Sequence, residues 1–104
     1  MMNIFTRTEA LIGRDAIEKL SKSHVAIFGI GGVGGSCVEA LVRAGIGRIT
    51  IVDHDTVDES NINRQIIATS KTVGQAKVNV MKARISSINP SCEVTAIKIG
   101  RAHV

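Results

Sequence analysis

The chain has no tryptophan, no tyrosine and only 2 phenylalanines among its 104 residues, so aliphatic side chains must build the interior. Its 2 cysteines, Cys37 and Cys92, match no CxxC or zinc spacing. This excludes a disulfide framework and points to two small buried thiols, one in a helix and one in a strand, in a reducing cytoplasm. No apolar run approaches the ~20 residues needed to span a bilayer, and "MMNIFTRTEA" lacks the apolar core of a signal peptide. The expectation is a soluble cytoplasmic protein with no membrane partner.

What is present describes an ordinary folded domain. A hydrophobic content of 44% beside 21% charged residues argues against disorder. The length allows one domain at most, covering 1–104 as an N-terminal helical segment (1–23), a Rossmann half (24–99) and a remnant tail, "GRAHV", at 100–104. The formal charge of +4 is compatible with a polyanionic partner, but the 13 basic residues are spread along the chain as in a solvated surface.

Thr6 and Glu9 stand at capping-box spacing and predict a helix start. Gly13 interrupts that helix, and "RDAIEKLSKS" resumes it with Ala16, Ile17 and Leu20 on one face. "HVAIFGI" (24–30) is short, rich in branched residues and ended by glycines, and predicts a strand buried on both faces, hence a parallel sheet. From Val33 a helix follows with Cys37, Leu41 and Ala44 as its apolar face and Gly45 as C-cap. "RITIVD" is a second strand. Residues 54–74 are polar and aperiodic, a long functional loop with one short helical turn. Val78, Met81, Ile85 and Ile88 predict a further helix, with Met81 in the core, stopped by Asn89-Pro90 before a third strand, "CEVTAIKI".

This order predicts an α/β fold: a Rossmann-like parallel sheet forming the N-terminal half of a doubly wound domain. Right-handed crossovers set the strands in the order third, second, first. The apolar first strand then lies at an open edge, which predicts a truncated chain or a strand supplied by a partner.

Gly29, Gly31 and Gly34 satisfy G-x-G-x-x-G between a strand and a helix, where backbone N–H groups can approach phosphate. Asp53 ends the second strand 19 residues after Gly34, the place of a carboxylate that accepts from a ribose diol. A nicotinamide dinucleotide and a nucleoside triphosphate both remain open on this evidence. Arg64 in the long loop and Lys77 at the next helix start would suit a reacting triphosphate, whose departing pyrophosphate needs positioned cations. Alone, both could equally be surface residues.

In register, "GIGGVG", "DHD", "SNINRQ", "GQAK" and "INP" resemble the ThiF/MoeB/HesA family of adenylating enzymes, bacterial relatives of ubiquitin-activating enzymes. The resemblance runs from about Arg7 to Val94. "RTEALIG", "VEALVRAGIG" and Asn63 are most similar to its tRNA threonylcarbamoyladenosine dehydratase branch. The resemblance implies ATP and Mg²⁺ as cofactors, a homodimer, and tRNA as partner, or else a ubiquitin-like sulfur carrier. It places Gly29, Gly31, Gly32 and Gly34 at the phosphates and Asp53 at the ribose. It brings Ser60, Asn61, Asn63, Arg64 and Gln65 toward the nucleotide, and sets Lys77 at the departing pyrophosphate. Asp55 falls at the rim, or is a turn-forming carboxylate. Arg7 matches an arginine that crosses the dimer interface into the neighbouring site, or is an exposed first-turn residue. The family's magnesium-associated aspartate follows a fourth strand that this chain does not reach. An NAD-dependent oxidoreductase is the competing reading of the glycine loop.

Overall fold

The computed structural model describes Leu11 and residues 13–100. The predicted Thr6–Glu9 capping box, Arg7 and the last four residues of the tail lie outside them. Gly13, at φ 88°, precedes helix α1 (Arg14–Ser21), where Ala16, Ile17 and Leu20 are half-buried as the spacing requires. Strand β1 (His24–Phe28), helix α2 (Val33–Ala44) and strand β2 (Arg48–Asp53) form the first crossover. A long connection containing a 3₁₀ turn (Glu59–Asn61), helix α3 (Lys77–Ile88) and strand β3 (Glu93–Lys98) form the second.

The sheet is parallel, in the order β1-β2-β3, with Val25 opposite Ile49 and Ile49 opposite Val94. The predicted order is therefore observed. Both crossovers step in the same direction, so right-handedness puts α2 and α3 on the same face. Ile49 and Ile51 of the central strand point into that face and are fully buried, against Val38, Val42, Val78, Met81 and Ile85. Arg84 of α3 meets the Glu39 carboxylate of α2 at 2.6 Å and joins the two helices, while Arg43, one turn on in α2, shares that carboxylate at 2.9 Å.

The expectation that β1 is buried on both faces is corrected. Its residues alternate between exposed and half-buried, and Phe28 is 77% exposed. Among the described residues nothing covers the second face of the sheet, where Phe28, Val52 and Ile97 line up across the strands. The apolar face of α2 is corrected at Cys37, while Leu41 packs partly against the core and Ala44 is half-buried. Gly35, Val38 and Val42 are buried and Cys37 is exposed, because the face turned to the sheet is set by Gly35, whose Cα packs close to the Ile30 carbonyl. Gly45 caps α2 as expected, at φ 103° with its N–H on Leu41 and Val42 oxygens. Cys92 is buried as predicted, and burial raises its thiol above the ordinary cysteine range.

The long connection contains the single short helical turn the sequence suggested, yet it is anchored more firmly than a polar loop. Val57, Ile67 and Ala68 are buried in the core. Val57 exchanges backbone hydrogen bonds with Gln75 and Gly74 at 2.8 and 2.9 Å, and Thr56 forms an antiparallel bridge with Ala76. Among the described residues no helix is long and apolar enough to cross a membrane.

Candidate nucleotide-binding site

The site lies at the carboxyl ends of β1 and β2, where a doubly wound sheet opens a crevice. The chain leaves β1 through Gly29, whose N–H still donates to Val52 at 2.8 Å, and enters α2 over Gly32, which sits at φ 54° and ψ −119°. A side chain there would be strained. At Gly34 the constraint is contact: an added Cβ would collide with the Gly29 carbonyl oxygen. The loop is thereby folded back on the first turn of α2, with the helix N-terminus facing the crevice, the arrangement that receives phosphate.

Asp53 locks this loop to the sheet. Its Oδ2 accepts from the Ile30 N–H at 2.9 Å and its Oδ1 from the Asp55 N–H at 2.8 Å. Burial alone pushes its carboxyl up, but the two backbone donors and the nearby Lys77 and His54 outweigh it, and the net shift is below the usual aspartate range. Asp53 is therefore ionised. A carboxylate has about four lone-pair positions, so two acceptor positions remain after the loop contacts, the number a ribose diol requires.

Lys77, the first residue of α3, is 6% exposed. Its N–H donates to the Asp55 carbonyl at 3.1 Å, and its Nζ lies 3.8 Å from Asp55 Oδ2. Asp55 is shared: His54 Nε2 stands 3.2 Å from its Oδ1. Across the crevice the Gln65 carboxamide lies so close to Gly31 that a Cβ there would meet it at 2.9–3.1 Å. The Gln65 Oε1 is buried with no hydrogen-bond partner, a polar atom left free beside the glycine loop.

Together these groups bound an open cleft of about 560 Å³, the size of a small-molecule site. Of the expected site residues, Gly29, Gly31, Gly32, Asp53, Asp55, Gln65 and Lys77 line it. Gly34 shapes it from behind. The others stand apart from its walls. Asn61 is buried and accepts from the Asp58 N–H at 2.8 Å, folding the 3₁₀ turn in a reciprocal capping box, and Ser60 completes that turn against Asp58. Arg64 and Asn63 are exposed, and the Arg64 guanidinium donates to the Ser60 carbonyl at 2.8 Å and to Asn63 Oδ1 at 3.1 Å. In this conformation the polar groups of Asn61 and Arg64 are engaged within the loop itself. Four lining residues were not anticipated: Phe28, Val52, His54 and Ile99. The signal for His54 was its place in "DHD", directly after the ribose carboxylate.

The ligand atoms of Asp53, His54 and Asp55 lie within 4.8 Å of one another, the spacing of a divalent-cation site. Mg²⁺ demands an octahedron of oxygens. His54 offers nitrogen, and Asp55 is paired with Lys77 and His54, so Asp53 alone keeps free oxygen positions. The three do not fit Mg²⁺.

A parallel sheet with a phosphate-type glycine loop, a ribose-type carboxylate and a buried lysine facing one cleft defines a nucleotide-binding α/β domain. The chain belongs to the ThiF family, whose model matches residues 5–100. It is 54% identical over 99 residues to tRNA threonylcarbamoyladenosine dehydratase of Bacillus subtilis, covering 95% of this chain and 39% of that protein. The crystal structure of the Escherichia coli tRNA N6-threonylcarbamoyladenosine dehydratase in complex with ATP superposes with a TM-score of 0.86 at 47% identity, covering 89% of this chain and 38% of that one. Molybdopterin-synthase adenylyltransferase of Escherichia coli is 40% identical over 83 residues, 80% of this chain and 33% of that protein. The chain thus spans well under half the length of each of these relatives.

Proposed function

We propose that this domain serves an enzyme that uses ATP to adenylate the carboxylate of threonylcarbamoyladenosine in tRNA and then closes it into a ring with net loss of water. The observation that carries the proposal is the shared cleft of glycine loop, Asp53 and Lys77 in a chain 54% identical to a dehydratase of that name. A nicotinamide enzyme would not need Lys77, and membership of the ThiF family weighs against one.

The chemistry follows from the leaving group. A carboxylate resists attack because an oxide or hydroxide leaves poorly. If a carboxylate oxygen displaces pyrophosphate from the α-phosphorus of ATP, the acyl group becomes bonded to AMP. An internal nucleophile of the substrate then attacks the acyl carbon, loses its proton, and expels AMP with the former carboxylate oxygen. Gly29, Gly31 and Gly32 would hold phosphate through backbone N–H groups, and Asp53 the ribose. Lys77 would stabilise charge on the departing pyrophosphate, which requires its ammonium to be drawn from Asp55. Gln65 would offer its free carboxamide to the ligand. Arg64 reaches the triphosphate only by leaving Ser60 and Asn63, so its assignment includes a side-chain swing on binding. Mg²⁺ would accompany ATP on ligands other than the Asp53, His54 and Asp55 set. A homodimer in the cytoplasm, with Arg7 entering the neighbouring site, completes the proposal.

The sulfur-carrier reading is kept because a relative 35% identical over 88 residues is named sulfur carrier protein adenylyltransferase. The deciding experiment measures AMP formation by the full-length protein with tRNA carrying threonylcarbamoyladenosine, alongside mass spectrometry of that nucleoside. AMP formed in step with loss of one water supports the dehydratase. AMP that appears only with a ubiquitin-like carrier shifts the substrate, and none under either condition overturns adenylation.

A further inference from the structure

We infer that His54 supplies the cleft with a second cation, taking up a proton as the phosphates of the nucleotide enter. This rests on the nucleotide reading above and adds to it a residue to which neither the motifs nor the relatives assign a role. The argument begins with charge. The ionisable groups on the described cleft wall are Asp53, His54, Asp55 and Lys77. With a neutral imidazole, two carboxylates face a single ammonium, and the wall is net negative where a polyanion must bind.

The other sources of positive charge do not close that gap. The N-terminus of α2 contributes roughly half a charge. The Lys77 ammonium is partly engaged by Asp55 at 3.8 Å. Arg64 is turned to Ser60 and Asn63. Lys98, opposite Asp53 in the strand register, is exposed and is not on the cleft wall. His54 remains. Its side chain is 48% exposed, its Nε2 already lies 3.2 Å from a carboxylate oxygen, and Phe28 and Ile99 beside it on the wall are apolar.

Imidazole is the side chain whose charge responds most readily near neutral pH when its surroundings become more negative. Incoming phosphate provides that change. Protonation has a second consequence, since His54 and Lys77 share Asp55. An imidazolium holds the Asp55 carboxylate more strongly and leaves the Lys77 ammonium freer to meet phosphate. Nucleotide and proton then bind cooperatively, and by linkage the affinity falls as pH rises.

The test is calorimetric titration of the full-length protein with ATP at constant excess Mg²⁺, at pH 6 and pH 8, in two buffers of different ionisation enthalpy. ATP titrates in this range, so wild type is compared with His54→Gln, which keeps a polar side chain and cannot charge. Wild type is expected to lose severalfold more affinity than the variant between the two pH values. It should also show a proton uptake on binding that the variant lacks. Equal pH dependence and equal proton uptake in the two proteins would overturn the inference. Should His54→Gln fold poorly, the wild-type His54 Cε1–H resonance is followed against pH with and without ATP. A midpoint that rises with ATP supports the role, and one that stays or falls refutes it. Absence of ATP binding at either pH would instead remove the nucleotide reading and this inference with it.

Discussion

The two strand-to-helix connections that form the cleft are built on opposite principles. Between β1 and α2 the chain turns in a few residues whose shape depends on having no side chains, above all at Gly32 and Gly34. Between β2 and α3 it runs through more than twenty residues whose shape depends on side chains: Asp58 and Asn61 in the capping box, and Val57, Ile67 and Ala68 in the core. The short connection can therefore present only backbone dipoles, which suit any phosphate. The long one carries His54, Asp55 and Gln65 and delivers Lys77, the groups that can distinguish a nucleotide to be consumed from one merely held.

The sharpest way to break the short connection is Gly34→Ala. The added methyl meets the Gly29 carbonyl, a backbone atom that cannot rotate away. Moving it shifts the loop that Asp53 anchors through Ile30. Nucleotide binding is expected to fall at least a hundredfold, with destabilisation of about 2–4 kcal/mol by overpacking and lost loop contacts. Isothermal titration with ATP and thermal unfolding check the two parts, and unchanged affinity would show that the loop is not a phosphate site.

In the long connection Lys77→Met is the next largest change. It keeps an unbranched buried side chain and removes the charge, so the fold should survive. AMP formation is expected to fall about 10²–10³-fold, the usual range for losing one stabiliser of developing charge. ATP affinity should drop much less, since the glycine loop and Asp53 remain. Losses of equal size in both quantities would make Lys77 a simple binding residue.

The same contrast explains what the sequence could disclose. The strand, the glycines and Asp53 were legible because a branched run, a glycine spacing and a strand-end carboxylate are each marked by residue type within a short stretch. The resting place of Arg64 was not: the conformation of a long side chain answers to the Ser60 carbonyl and Asn63 beside it. The face of α2 was misread because apolar residues surround much of this helix. Val33, which is 87% exposed, and Cys37 compete with Val38 and Val42, while Leu41 packs partly against the core as expected, and only packing on the sheet decides among them. Burial of β1 on both faces was assumed from a hydrophobic run, whereas both crossovers set their helices on the same side. The core anchors of the long loop share no period, since each enters from a different turn.

Asn61→Ala tests whether that loop is held by its capping box. The substitution leaves the Asp58 N–H without its acceptor and removes a buried amide, at an expected cost of about 1–2 kcal/mol. If Asn61 acts only on the loop, ATP affinity should fall no more than severalfold, and His54 and Lys77 variants should keep their effects in its background. A loss as large as that of Gly34→Ala would instead place Asn61 on the nucleotide.

The smallest effect expected is the pH dependence of the junction between the two connections. The folded-state pKa of Asp53 is lowered: burial opposes ionisation, but the Ile30 and Asp55 N–H groups with Lys77 and His54 outweigh it. A depressed carboxyl stabilises the fold in its ionised form. That contribution is complete above the ordinary aspartate value of about 3.9 and is lost as pH falls through the lower folded-state value. Thermal stability attributable to Asp53 should therefore be flat from neutrality to about pH 5 and decline only in strongly acidic solution. Asp53→Asn, which keeps one acceptor oxygen, should be less stable than wild type near neutrality and lose less as the solution is acidified, so the two melting curves converge at low pH. Curves that stay parallel throughout would mean that the carboxylate's charge contributes nothing to joining the glycine loop to the sheet, and that its two hydrogen bonds act by geometry alone.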